Sequence, residues 1–178
     1  SKYEAEQRLW AIAEETGMEM VVLRAPLVYG PNVKGNFLRL LKAVDGCRPL
    51  PLGSIRNQRS LIYLYNLIDV IQKCLTHPNA RGQTFLVSDG DDVSTPELIR
   101  RIGGALGRRA ILINIPVIFI RGVANVLCRR GMVERLTSSL TVDISSLKTQ
   151  LDWKAPYSMQ KGLHFTVIWY KYGNKCKV

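Results

Sequence analysis

Short apolar runs alternate with amphipathic segments along this chain, and this alternation constrains the fold more than any other feature. Residues 20–23 (MVVL), 60–64 (SLIYL) and 84–87 (TFLV) are the runs, and they are typical of strands buried on both faces of a parallel sheet. Segments with helical spacing of apolar residues lie next to these runs. The pattern predicts an α/β fold.

The first apolar helical stripe begins within the first five residues. It consists of Ala5, Leu9, Ile12 and Ala13, and Gly17 is placed to end the helix. The first turn therefore resembles the interior of a helix, and we expect that a segment of the natural protein precedes it. The other predicted helices contain Phe37, begin at the caps Asn66, Ser94, Asp143 and Ser158, and cover residues 116–130. Residues 110–115 are predicted to form a further short strand. No linker divides the chain.

Composition excludes several classes of protein. The apolar stretch 111–128 is interrupted by Asn114, Pro116, Arg121 and Asn125, so no transmembrane segment is predicted. The four cysteines are scattered, which favours free thiols in the cytosol and argues against a metal site. The net charge of +11 raises the question of an anionic partner, but the basic residues are distributed and no nucleic-acid-binding signature is present. We therefore expect no nucleic acid as a partner.

Two basic positions could bind an anion. In residues 24–37 (RAPLVYGPNVKGNF), Lys34 and Asn36 stand where a strand-to-helix turn opens the next helix, whose free N–H groups favour an anion. Arg56 and Arg59 precede the run at 60–64, and Arg59 is the better placed to present a fixed guanidinium fork to a diphosphate. The alternatives remain open: a solvated lysine in an ordinary turn, and a salt bridge between Arg59 and a carboxylate of this chain.

A catalytic centre is not evident from the residues alone. His77 and His164 have no clear acid–base partner, and no nucleophile motif, carboxylate pair or metal-ligand cluster is present. The residues by themselves therefore indicate a ligand-binding part without a chemical centre.

Six ordered blocks carry a resemblance to a known family. They are SKYEAEQRL, LRAPLVYGP, VKGNFLRLLK, PLPLGSIRNQRSLIYLYNLIDVI, FLVSDGDDVSTPELIRRI and LTVDISSLKTQLDW. Together they resemble the NAD-dependent epimerase/dehydratase family, the extended short-chain dehydrogenases that act on nucleotide-sugars. The resemblance implies the last strands of a Rossmann-type parallel sheet, in residues 1–30, followed by the smaller C-terminal substrate-binding α/β domain, mainly in residues 31–178.

The resemblance also implies residue roles. Lys2 matches the lysine of the catalytic Tyr-x-x-x-Lys motif, whose tyrosine would lie three residues before Ser1, and Lys2, Pro26 and Val28 would contact NAD or NADP. The nucleotide-sugar would be bound by Tyr29, Lys34, Asn36, Phe37, Arg59 and Arg135. Because the glycine-rich dinucleotide loop and the tyrosine are not in this sequence, we expect the chain alone to be inactive and to bind no NAD tightly.

The implied activity is 4-epimerisation of a UDP-hexose or UDP-N-acetylhexosamine, by a cytoplasmic homodimer. Leu27 and the triplet Arg59-Ser60-Leu61 depart from many 4-epimerases, so reduction of a UDP-4-keto-6-deoxy sugar remains an alternative. A non-catalytic basic binding module is the alternative of another class.

Overall fold

The computed structural model describes residues 2–126, 134 and 136–173. The helices span Lys2–Thr16 (α1), Gly35–Asp45 (α2), Leu64–Thr76 (α3), Thr95–Leu106 (α4), Val117–Val126 (α5), Ser145–Leu151 (α6) and Met159–Tyr172 (α7). The strands are Val22–Arg24 (β1), Leu27–Tyr29 (β2), Leu61–Tyr63 (β3) and Thr84–Leu86 (β4).

The strands form two parallel pairs. β1 pairs with β4, with Leu23 opposite Phe85, and β2 pairs with β3, with Val28 opposite Ile62. Helix α3 follows β3 directly and leads to β4, which belongs to the other pair. The predicted α/β class with parallel strands is confirmed.

Local capping chemistry was predicted correctly at α4. The Ser94 hydroxyl accepts a hydrogen bond from the Glu97 N–H at 3.2 Å, and Gly107 ends the helix with a φ of 66°. Ser158 likewise caps α7 by accepting from the N–H of Lys161. Short-range hydrogen bonds of this kind depend on adjacent residues alone, which is why sequence predicts them.

Three predicted features differ in the structure. The prediction that Asn66 caps a helix is wrong, because α3 begins at Leu64 and Asn66 lies buried inside it. Residues 110–115 form no strand, only a bridge between Leu50 and Leu112. Asp143 accepts from the Ser145 N–H at the start of α6, although Ile144 holds the cap position. The predicted helix at 116–130 is α5 as far as Val126, and residues 127–130 lie outside the described residues.

Two apolar cores hold these elements together. The first packs α2, α4 and α7 against the β2–β3 pair, through residues that include Phe37, Leu41, Ile99, Ile102 and Leu163. The second packs α3 and α6 around β4, through Val70, Phe85, Leu147 and Trp153. Tyr29 and Tyr63, the last residues of β2 and β3, belong to the first core, whereas Ile62, directly before Tyr63, belongs to the second. The carboxyl ends of β2 and β3 therefore lie where the two cores meet.

Candidate functional site

The turn after β2 has a backbone that only certain residues can adopt. Gly30 has a φ of 148°, and a Cβ atom there would stand 2.8 Å from the Cβ of Leu64. Asn32 and Gly35 also have positive φ, and Val33 donates its N–H to the Gly30 carbonyl at 3.2 Å. The turn is thus fixed by backbone geometry, and it delivers the chain to the first residue of α2.

Lys34 and Asn36 lie at the start of α2, as predicted. Lys34 is exposed and occupies the cap position without a side-chain capping bond, and the first turn of α2 contains no acidic residue. Asn36 is half-buried. The uncapped N–H groups of this helix end and the neighbouring ammonium group are both attractive to an anion.

Tyr29 and Phe37 are buried instead of lining a surface. Their exposed fractions are 1% and 3%, and their rings stack with centroids 5.6 Å apart. Both side chains therefore pack beneath the turn and support its position, and their contact with a substrate remains a prediction.

Asp89 is the shared acceptor of a buried hydrogen-bond network that links the carboxyl ends of β2 and β3. Its carboxylate accepts hydrogen bonds from the Tyr29 hydroxyl (2.9 Å), the Tyr63 N–H (2.9 Å) and the Asn66 amide (2.7 Å). Asn66 also bonds both backbone groups of Tyr157. The network ties β2, β3, α3 and the segment before α7 into one unit.

Burial sets the ionisation of this network. Burial raises the pKa of the Asp89 carboxyl above its ordinary value, although the three hydrogen bonds oppose that change. Burial and the charge of Asp89 raise the pKa of Tyr29, so its hydroxyl stays protonated and donates. Sequence reasoning missed Asp89 and misassigned Asn66. The available signal was their position, because each follows closely after a buried strand of a parallel pair.

Tyr63 carries a buried hydroxyl that has no hydrogen-bond partner within the part of the chain that the structure describes. Burial is the main reason that its pKa rises to about 12. Its ring lies between Tyr29, Tyr65 and Tyr157, with centroid distances of 5.5 to 5.7 Å. The aromatic cluster therefore extends from the buried strand ends to Tyr65, which is half-exposed.

Arg59 is held rigidly by its backbone. Its N–H and carbonyl exchange hydrogen bonds with Val93 at 2.9 and 3.0 Å, and the next residue, Ser60, donates its N–H to Leu140. The side chain is half-buried, and this burial lowers the pKa of its guanidinium. No carboxylate of the described residues forms an ion pair with it, so the alternative of an internal salt bridge is not realised there.

The remaining predicted residues are dispersed. Lys2 is exposed at the start of α1, while half-buried Pro26 and Val28 lie just before β2 and in its centre. Within the part of the chain that the structure describes, no hydrogen bond joins Arg59 to Lys34 or Asn36, because Arg59 precedes β3 and the other two residues follow β2, at the opposite end of this parallel pair. Arg135 lies outside the described residues. Within the described ranges, no group of three or more acidic, histidine or cysteine side chains could hold a metal ion.

Comparison with known proteins decides the family. A model of the NAD dependent epimerase/dehydratase family matches residues 1–88. The UDP-glucose 4-epimerase of Vibrio cholerae is 44% identical over 167 residues, which are 93% of this chain and 51% of that protein. The chain belongs to the NAD-dependent epimerase/dehydratase family. It spans about half the length of the curated relatives it matches.

Solved structures of epimerases share this fold. The crystal structure of UDP-glucose 4-epimerase from Thermotoga maritima with UDP-glucose matches with a TM-score of 0.72 at 19% identity, over 97% of this chain and 52% of that one. UDP-glucuronic acid 4-epimerase from Bacillus cereus in complex with NAD matches with a TM-score of 0.70 at 18% identity, over 95% and 51%. Among the described helices, none combines the length and the apolar character needed to cross a bilayer.

Proposed function

We propose that the natural protein containing this chain is an NAD-dependent 4-epimerase of a UDP-hexose or UDP-N-acetylhexosamine, and that this chain binds the nucleotide-sugar. Support comes from the 44% identity to a UDP-glucose 4-epimerase, together with the basic positions that surround the β2–β3 pair. The homodimer and the cytoplasmic location remain predictions.

The observation that carries the proposal is the partial burial of the Arg59 side chain without a carboxylate partner among the described residues. A half-buried guanidinium without a carboxylate partner among the described residues has lost part of its hydration and gained no counter-charge. A diphosphate would supply that charge, and the fixed backbone on both sides would hold the guanidinium in one geometry. Exposed Arg56, three residues earlier, lacks this arrangement.

The ligand implied by these positions is an extended one. Arg59 precedes β3, and the turn that holds Lys34 follows β2, so about 10 Å of strand length separates the two ends of the pair. A nucleoside diphosphate-sugar is long enough to meet both ends. The diphosphate would lie at Arg59, and Lys34 and Asn36 would take a further polar part of the same molecule.

NAD, when bound, would accept a hydride from C4 of the sugar and return it. The residues of this chain fit only one side of such a site, because exposed Lys2 and half-buried Pro26 are available whereas the sequence has no glycine-rich dinucleotide loop. The catalytic tyrosine is expected three residues before Ser1. The positive charge of Lys2 would lower the pKa of that tyrosine and so help it to move a proton at the sugar O4. We expect the chain by itself to show no turnover and no tight NAD binding.

The test is an activity assay on the intact natural protein. Incubation with UDP-glucose, and separately with UDP-N-acetylglucosamine, should produce the C4 epimer of at least one of them without net change in NADH. Stoichiometric oxidation of NADPH with a UDP-4-keto sugar, and no epimer, would establish a reductase instead. Affinity that increases with the length of a polyanion and ignores UDP would establish a basic binding module.

A further inference from the structure

An exposed apolar surface with basic neighbours lies on the segment between α4 and α5. Ile111 and Ile113 are 43% and 45% exposed, and Ile118 and Phe119, in the first turn of α5, are 76% and 65% exposed. Arg108 and Arg109 directly precede these residues and are also exposed. We call these six residues the 108–119 surface.

The local backbone explains why the two isoleucines of the bridge segment point outward. Leu50 donates its N–H to the Ile111 carbonyl and accepts from the Ile113 N–H, both at 2.9 Å, so residues 111–113 run extended beside Leu50. Side chains alternate along an extended segment, and Leu112 packs against the first core. Ile111 and Ile113 therefore share the opposite, solvent-facing side.

The sequence around this surface is rich in cations. Between Glu97 and Glu134 the sequence contains seven arginines and no acidic residue, over 36 positions. Arg109 has no ion-pair partner among the described residues, and Arg108 reaches only Asp45, at 3.9 Å. An apolar surface flanked by cations in this way complements an anionic, amphipathic partner.

Other helices also expose apolar residues. Leu9 and Ile12 on α1 are about half exposed, but α1 and the residues after it carry five glutamates: Glu4, Glu6, Glu14, Glu15 and Glu19. On α3, Leu75 is 81% exposed, and Ile68 and Ile71 are 39% and 41% exposed. Apolar exposure alone therefore does not distinguish the 108–119 surface; its combination with two adjacent exposed arginines, Arg108 and Arg109, does.

We propose that the 108–119 surface docks onto an anionic lipid bilayer. Isoleucine and phenylalanine side chains would enter the boundary between headgroups and acyl chains, while Arg108 and Arg109 bind lipid phosphates. The first turn of α5 holds Ile118 and Phe119, so both exposed side chains lie together at the start of the helix and can enter this boundary. This inference does not depend on the proposed enzymatic function.

Vesicle flotation with the intact natural protein tests the proposal. The protein should float with vesicles of phosphatidylcholine and phosphatidylglycerol and not with phosphatidylcholine alone, and high salt should weaken the binding. Ile118→Ser with Phe119→Ser should abolish flotation. Arg108→Gln with Arg109→Gln should weaken binding at least tenfold. The matched controls are Leu75→Ser for an exposed apolar side chain and Lys148→Gln with Lys154→Gln for exposed cations, and both should float normally.

Four results would overturn the proposal. They are absence of flotation with anionic vesicles, equal flotation with neutral vesicles, undiminished flotation of the Ile118→Ser, Phe119→Ser variant, and conversion of a dimer into monomers by that variant with vesicle binding unchanged. A fall of more than about 5 °C in its melting temperature would also overturn it, because truncating truly exposed side chains should leave stability nearly unchanged.

Discussion

The hydroxyl of Tyr29 donates a 2.9 Å hydrogen bond to the carboxylate of Asp89, a residue 60 positions later in the chain. Tyr29 ends β2 and Asp89 follows β4, so this bond joins the end of one strand pair to the segment that follows the other. It also fixes the residue immediately before the Gly30–Pro31 turn. The position of the proposed substrate turn therefore depends on a buried polar contact.

Removing that hydroxyl should destabilise the fold. Tyr29→Phe leaves Asp89 with two donors instead of three in a buried setting, and the free energy of unfolding should fall by about 1–3 kcal/mol. Urea denaturation measures this change. Tyr65→Phe is the matched control, because the Tyr65 hydroxyl makes no hydrogen bond among the described residues. Equal midpoints for Tyr29→Phe and the parent would show that the bond contributes nothing.

The raised pKa of Asp89 predicts the sign of a pH effect. The folded protein retains the Asp89 proton to a higher pH than the unfolded chain, whose carboxyl titrates near the ordinary value of 3.8. Above that value, the contribution of Asp89 to the free energy of unfolding therefore falls as the pH rises through the folded pKa, and it is constant beyond. The stability of the parent relative to Asp89→Asn should decrease over this window. A relative stability that increases with pH would mean that the folded pKa is lowered.

Gly162 in α7 should tolerate no side chain. A Cβ atom there would lie 2.7 Å from the Tyr29 hydroxyl and 2.8 Å from Cγ of Tyr63, and both rings are buried. Gly162→Ala should lower the free energy of unfolding by about 1–3 kcal/mol. Gly104→Ala in α4 meets nothing within 4 Å and should instead stabilise by roughly 0.5–1 kcal/mol. The same sign for both variants in thermal denaturation would refute this packing.

Sequence predicts what neighbouring residues determine and fails where distant residues meet. The Ser94 cap depends on Glu97, three positions away, and was predicted correctly. Asn66 has a cap-forming side chain, but its partners Asp89 and Tyr157 are 23 and 91 positions away, so its role could not be read locally. Long-range pairing overrode local propensity there.

In the candidate site, too, features that depend on neighbouring residues were predicted and features that depend on distant residues were not. The strand-to-helix turn that presents Lys34 follows from local residues, and it was predicted. The burial of Tyr29 and Phe37 depends on how α7 and the strands close around them, which no local pattern encodes. For Arg59, sequence left a salt bridge and a ligand equally open. Only the folded structure shows that no carboxylate of the described residues pairs with Arg59, and the ligand remains a prediction.

The central claim is that Arg59 binds the diphosphate of a UDP-sugar, and inhibition of the intact enzyme by UDP tests it most directly. Arg59→Ala should raise the UDP inhibition constant by roughly ten- to a hundredfold, and Arg59→Lys should recover only part, because an ammonium group cannot form the bidentate fork. Arg56→Ala, at an exposed arginine three residues away, should leave the constant unchanged. Equal inhibition constants for Arg59→Ala and the parent, with the fold intact, would contradict the account.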